Sequence, residues 1–125
     1  MYELKVKTHF AAAHRLTMVG EKCENLHGHN WKVEVVLSGD TLDEGGVLMD
    51  FGIIKKHLKE VMHTLDHRFL NELPFFDDQT PPSSENIARY IAGELTNRIS
   101  SGPATVARVS AWESDNSCAT YICNE

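Results

Sequence analysis

The chain has no long apolar run. Nothing in it approaches the ~18 consecutive hydrophobic residues that a membrane-spanning helix requires, although 42% of its 125 residues are hydrophobic. It also lacks a basic excess: Lys and Arg number 12 against 18 Asp and Glu, a formal net charge of −6. Such an acidic chain is poorly suited to nucleic-acid backbones or anionic membranes, so neither is an expected partner. A small anionic ligand held by a few local cations stays compatible with it. The cysteines number only 3; an odd count suits a reducing compartment that keeps them as thiols better than a disulfide framework. There is no glycine-rich phosphate loop, internal repeat, low-complexity tract or linker. The opening Met1-Tyr2-Glu3-Leu4-Lys5 alternates in polarity rather than forming a leader, which makes the cytosol the expected compartment. A single compact domain over residues 1–125, with a modest core, is expected from this length.

Periodicity supplies the architecture. Tyr2, Leu4, Val6, Thr8 and Phe10 alternate with Glu3, Lys5, Lys7 and His9 as in a half-buried strand, and Ala12 and His14 keep the apolar parity. After a loop containing Gly20 and Cys23, a second strand carries His29, Trp31, Val33, Val35 and Leu37 on one face. Gly39 and Asp43-Glu44-Gly45-Gly46 read as turns, and Val47-Leu48-Met49 either extends the sheet or leads into a helix. From Asp50, a good N-cap, Phe51, Ile54, Leu58, Met62 and Leu65 recur at helical spacing, with Lys55, Lys56 and Lys59 off the stripe. Asn71 to Pro82 reads as a loop. A second helix starts near Ser83 or Ser84, carries Ile87, Ile91, Leu95 and Ile99, and ends at Ser100-Ser101-Gly102-Pro103. Two strands, about 105–113 and 118–123, close the chain around a turn at Ser114-Asp115-Asn116. The order ββααββ predicts an α+β fold, an antiparallel sheet with two helices on one face. The uncovered face and edges of so small a sheet favour a homo-oligomer.

The chemistry concentrates on histidine. His27-Gly28-His29 places two imidazoles at i and i+2, on one side of an extended chain. His29 shares the inward parity of Trp31, and His14 that of Phe10. If the first two strands form a hairpin, the three rings converge. Three neutral imidazoles with a fourth position open is the pattern of catalytic zinc; the bland alternative is three unrelated semi-buried histidines. Gly28 would let the backbone come close. His9, His57 and His63 fall off these faces and read as surface residues. Cys23, four residues before His27, is either a fourth ligand that closes the site or a thiol beside the metal, activated as a nucleophile or base. Cys118 and Cys123 lie on opposite strand faces and read as packing thiols.

Other polar residues carry weaker signals. Asp66-His67 closes the first helix, and the acid can orient the imidazole for proton transfer if the helix has already ended; a helix-end histidine favoured by the dipole explains it equally well. Glu113 shares the parity of Val109 and Ala111. It is either an inward carboxylate that needs a cationic or hydrogen-bonding ligand, or an exposed strand end. Glu85 reads as a first-turn acid.

Taken together, Ala12-Ala13-His14-Arg15-Leu16, Cys23-x3-His27-Gly28-His29, Met49-Asp50-Phe51, Leu65-Asp66-His67, Ser83-Ser84-Glu85 and Glu113 closely resemble the 6-pyruvoyl-tetrahydropterin synthase family across nearly the whole chain. The Cys-x3-His-Gly-His spacing resembles its bacterial queuosine-pathway branch, the 6-carboxy-tetrahydropterin synthases. The resemblance implies the tunnelling fold (T-fold), with subunit sheets joined into barrels and two trimers stacked as a homohexamer. It implies Zn2+ on His14, His27 and His29, Cys23 as catalytic base, and Asp66 and His67 assisting proton transfer. Glu113 would anchor a pterin bidentately, with Ser83 and Ser84 beside it in place of the more usual Thr-Thr or Thr-Ser. The implied substrate is 7,8-dihydroneopterin triphosphate, which would be converted to 6-carboxytetrahydropterin with loss of triphosphate and acetaldehyde. Arg15 is a candidate cation for the triphosphate. The alternatives are a 6-pyruvoyl-tetrahydropterin synthase that eliminates triphosphate only, and a non-catalytic pterin-binding protein in which Cys23 closes a structural zinc site.

Overall fold

The computed structural model describes residues 1–16, 27–100 and 102–123, the side chain of His27 excepted. In chain order the elements are β1 (Tyr2–His14), β2 (His27–Gly39), α1 (Phe51–Leu65), β3 (Arg68–Phe69), α2 (Ser84–Arg98), β4 (Thr105–Ser114) and β5 (Ser117–Ile122), with a 3-10 turn at Leu70–Glu72. They build one sheet in the order β3-β1-β2-β4-β5.

The alternating pattern of β1 and β2 is realised as a long antiparallel pair. Its register runs unbroken from Tyr2 opposite Gly39 to His14 opposite His27. That register sends Val6, Phe10, Trp31, Val33, Val35 and Leu37 to one buried face, where each fully buried aliphatic side chain contributes about 1.5–3 kcal/mol. β4 pairs with β2 and β5 with β4, both antiparallel. α1 packs on β1, and α2 on β4 and β5, so both helices cover the apolar face.

Both helices start where capping chemistry puts them. Asp50 accepts from Gly52 N at 2.8 Å to open α1, and Ser83 Oγ accepts from Asn86 N at 3.1 Å to open α2. The stripes Ile54, Leu58, Met62, Leu65 and Ile87, Ile91, Leu95, Ile99 are buried, joined by Val61. A Thr64–Tyr90 hydroxyl contact of 2.9 Å and an Arg98–Glu60 pair at 3.0 Å tie the helices together. The other sheet face is polar. Glu3 of β1 reaches over β2 to Arg108 of β4 through two hydrogen bonds of 3.0 and 3.1 Å.

The structure corrects four expectations. The sheet is mixed rather than wholly antiparallel, because β3 runs parallel to β1, Ala12 opposite Arg68. The chain leaving α1 is laid along the β1 edge when His67 N donates to Ala11 O. Phe51 is 46% exposed; as the first helical residue its side chain leans back past the helix start. Cys118 is exposed and only Cys123 packs against the core, since β5 is an edge strand with one uncovered face. His57 is half-buried rather than a plain surface residue, its Nδ1 3.7 Å from Glu60. Val47-Leu48-Met49 leads into α1 and buries Leu48.

Candidate metal centre

The end of the β1–β2 hairpin brings polar groups under a hydrophobic lid. His14, the last residue of β1, is only 2% exposed, and His29 lies two residues into β2. Their rings meet edge to face with centroids 5.1 Å apart. The wholly buried Trp31 stands against both, at 5.1 Å from His14 and 5.5 Å from His29, and is itself stacked on Phe10 at 5.8 Å. Trp31 and Phe10 therefore form a rigid wall that fixes the imidazole planes.

A backbone contact then fixes which nitrogen of His14 faces the site. Nδ1 lies 2.8 Å from the carbonyl oxygen of Pro82. A carbonyl can only accept, so Nδ1 carries a proton, and in the neutral imidazole it is Nε2 that presents a lone pair. Such a hydrogen bond behind a ligating imidazole is what orients metal-binding histidines.

Glu113 arrives from β4. Its Oε1 is 3.2 Å from His29 Nε2 and 3.8 Å from His14 Nε2, and its Oε2 is 3.4 Å from Ser84 Oγ at the start of α2. Donor atoms of His14, His29 and Glu113 all fall within 4.8 Å of one another. Ligands of a tetrahedral zinc, with bonds near 2.0–2.2 Å, sit about 3.3 Å apart, so this donor set fits a metal in both chemistry and spacing. Three expected participants stand differently. His27 is in register opposite His14 by its backbone, its side chain outside the described residues. Cys23 lies outside them altogether. A Cβ added to Gly28 meets nothing within 4 Å among the described residues, so close approach does not require glycine there.

Asp66 and His67 form a second feature. α1 ends at Leu65, freeing the two residues to pair. Asp66 Oδ1 accepts from Ala11 N at 2.8 Å, and Oδ2 lies 2.9 Å from His67 Nδ1. The Ala11 amide, and after it His67, hold the Asp66 carboxyl below the usual aspartate range, against some desolvation. His67 takes a φ of 58°, the left-handed region that histidine visits more readily than most residues. Its ring is 81% exposed. The structure therefore brings Asp66 and His67 together, but on the β3 edge, three β1 residues from His14, or roughly 10 Å along the strand.

The remaining site residues divide. Ser83 Oγ is committed to capping α2, whereas Ser84 Oγ turns toward Glu113. Arg15 is exposed beyond His14, its main chain clamped by Asn71 through bonds of 2.8 and 2.7 Å. Pro82, Ala11, Trp31 and Asn71 had no site role in the sequence reading. Three of them act through the main chain or through a main-chain clamp, which leaves no mark in residue type. Trp31 was legible only as a core residue.

Comparison with known proteins gives the family and the fold. The family model described as 6-pyruvoyl tetrahydropterin synthase matches residues 3–123. A 6-carboxy-5,6,7,8-tetrahydropterin synthase of Synechocystis sp. is 35% identical over 118 residues, covering 90% of this chain and 87% of its own. A dihydroneopterin monophosphate aldolase of Pyrococcus furiosus is 36% identical over 104 residues, covering 83% and 82%. The solved structure of Caenorhabditis elegans 6-pyruvoyl tetrahydropterin synthase superposes with a TM-score of 0.87 at 30% identity, covering 98% of this chain and 96% of that one. The chain thus has the T-fold and belongs to the 6-pyruvoyl tetrahydropterin synthase family.

Proposed function

We propose that this pterin synthase is a zinc-dependent 6-carboxy-5,6,7,8-tetrahydropterin synthase. It would convert 7,8-dihydroneopterin triphosphate to 6-carboxytetrahydropterin, releasing triphosphate and acetaldehyde, in the queuosine pathway of the cytoplasm. The observation that carries the reading is the convergence of His14 Nε2, His29 Nε2 and Glu113 Oε1 at one end of a T-fold sheet. Family membership supplies the substrate class.

His14, His27 and His29 would hold the zinc. When bound, the ion supplies Lewis acidity that lowers the pKa of substrate side-chain hydroxyls. The chain's own residues do the rest. Cys23, as thiolate, takes a proton from the pterin side chain, and the electrons so released reduce the dihydropterin ring internally. Asp66 Oδ2 accepts from His67 Nδ1–H, which leaves His67 Nε2 to pass protons. That pair stands on the exposed β3 edge, which suits service to a site completed by a second subunit in a homohexamer. Glu113 and the Ser83-Ser84 turn address the amino-pyrimidine edge of the pterin. Arg15, exposed on the rim beside His14, suits the triphosphate.

A second reading has specific support in the aldolase relative, which is as similar to this chain as the synthase relative is. Incubating the zinc-loaded protein separately with dihydroneopterin triphosphate and dihydroneopterin monophosphate discriminates between them. Acetaldehyde with a 6-carboxy product from the triphosphate supports the proposal. A 6-pyruvoyl product without acetaldehyde indicates elimination only, and turnover confined to the monophosphate indicates the aldolase. Turnover of neither would leave a non-catalytic, zinc-stabilised pterin-binding protein.

A further inference from the structure

From Ala11 to Arg15 the outer edge of β1 is held by the segment that follows α1, Asp66 to Asn71. His67 N donates to Ala11 O, Asp66 Oδ1 accepts from Ala11 N at 2.8 Å, and β3 then pairs Ala12 with Arg68 and Ala13 with Phe69. The last step is made by a side chain. Asn71 Oδ1 accepts from Arg15 N at 2.8 Å, and Asn71 Nδ2 donates to Arg15 O at 2.7 Å.

A primary amide presents a donor and an acceptor in one plane without charge, as a strand neighbour does. Asn71 supplies that neighbour one residue past His14, where the β1–β2 register ends. Both bonds are exposed to solvent. Water can replace them at little cost in stability, so their main effect is on geometry. They fix the main chain of Arg15, whose side chain is exposed next to the buried His14. A loose strand end would lose that freedom only when a ligand is gripped, at a cost to affinity.

We propose that Asn71 is a positioning residue for Arg15. Its amide holds the backbone from which the guanidinium grips the substrate's phosphates, so that this cation is set before the substrate arrives. The proposal rests on the reading of Arg15 as the triphosphate's cation and deepens it.

Steady-state kinetics of the zinc-loaded enzyme test this, with 7,8-dihydroneopterin, which lacks the phosphates, as a competitor. Asn71→Ala is expected to raise KM for the triphosphate roughly 5- to 30-fold, the equivalent of ordering one residue's backbone. Its kcat and zinc content should change little, and the unphosphorylated competitor should bind variant and wild type alike. Arg15→Ala should raise KM at least as far. Adding Asn71→Ala to it should change nothing more, because a positioning residue has no effect once the group it positions is gone. Amide hydrogen exchange at Arg15 should be faster in Asn71→Ala. If that variant fails to fold, Asn71→Ser, whose short hydroxyl cannot span both main-chain groups, carries the same test. An unchanged KM in Asn71→Ala, equal weakening of both pterins, or a further rise in the double variant would overturn the inference while Arg15→Ala still weakens the triphosphate. If Arg15→Ala keeps the wild-type KM, or the wild-type enzyme does not turn over the triphosphate, the reading of Arg15 falls and the inference with it. The two failures are therefore distinguishable.

Discussion

The Nδ1 of His14 donates to the main-chain carbonyl of Pro82, 2.8 Å away and 68 residues further along the chain. One hydrogen bond thus links the end of β1 to the residue just before the α2 cap, and sets the tautomer of a buried imidazole. Long-range proton–nitrogen correlation spectra should show His14 protonated at Nδ1 and bare or metal-bound at Nε2. The opposite tautomer would remove the orientation on which the site depends.

Cys23→Ala should keep zinc and lose turnover, because the account makes this thiol a base and not a ligand. Metal content and activity, measured on the same preparation, decide it. Loss of zinc in this variant would return Cys23 to the role of a fourth, structural ligand.

Asp66→Asn preserves an acceptor for the Ala11 amide while removing the charge that pairs with His67. Turnover should fall by roughly 10²–10⁴, the usual contribution of a positioned proton-transfer group, with zinc content unchanged. His67→Ala should behave alike, and the double variant little worse than either, since the two residues act as a unit.

The Glu3–Arg108 pair gives a pH dependence with a defined sign. Arg108, by hydrogen bonding first and charge second, holds the Glu3 carboxyl below the usual range. Between its lowered folded value and the ordinary value near 4.3, the unfolded chain binds more protons than the folded one. The pair's contribution is therefore present above the ordinary value and is lost as pH falls through the folded one. Denaturant midpoints of wild type and Glu3→Gln should differ modestly at neutral pH and converge in acid. A gap that persists in acid would assign the effect to packing.

Gly39 and Gly28 should respond in opposite ways to alanine. A Cβ at Gly39 would lie 2.5 Å from Pro103 O and 2.6 Å from Leu48 Cδ1, and such overpacking costs about 1–3 kcal/mol. The same change at Gly28 meets nothing within 4 Å among the described residues and should leave the unfolding midpoint nearly unaltered. Equal effects at the two positions would contradict the packing described.

Much of the fold was written in local pattern. The period of two in β1 and β2, the caps Asp50 and Ser83, and the stripe from Ile87 to Ile99 depend on neighbours a few residues apart. β3 was not legible, because two residues have no periodicity and their pairing is dictated by Ala11, more than fifty positions away. The site divides the same way. Parity aimed His14 and His29 to one face and the hairpin register brought them within reach of one another, while parity left Glu113 open between an inward carboxylate and an exposed strand end. The partner of His14 is a main-chain carbonyl, which leaves no mark in residue type.

The most direct measurement strips the purified protein of metal, reloads it with zinc, and supplies 7,8-dihydroneopterin triphosphate. The account predicts no turnover in the stripped protein, and in the reloaded protein triphosphate and acetaldehyde released in equal amounts alongside a 6-carboxy product. Reloaded protein that releases neither, or equal turnover with and without zinc, would contradict it.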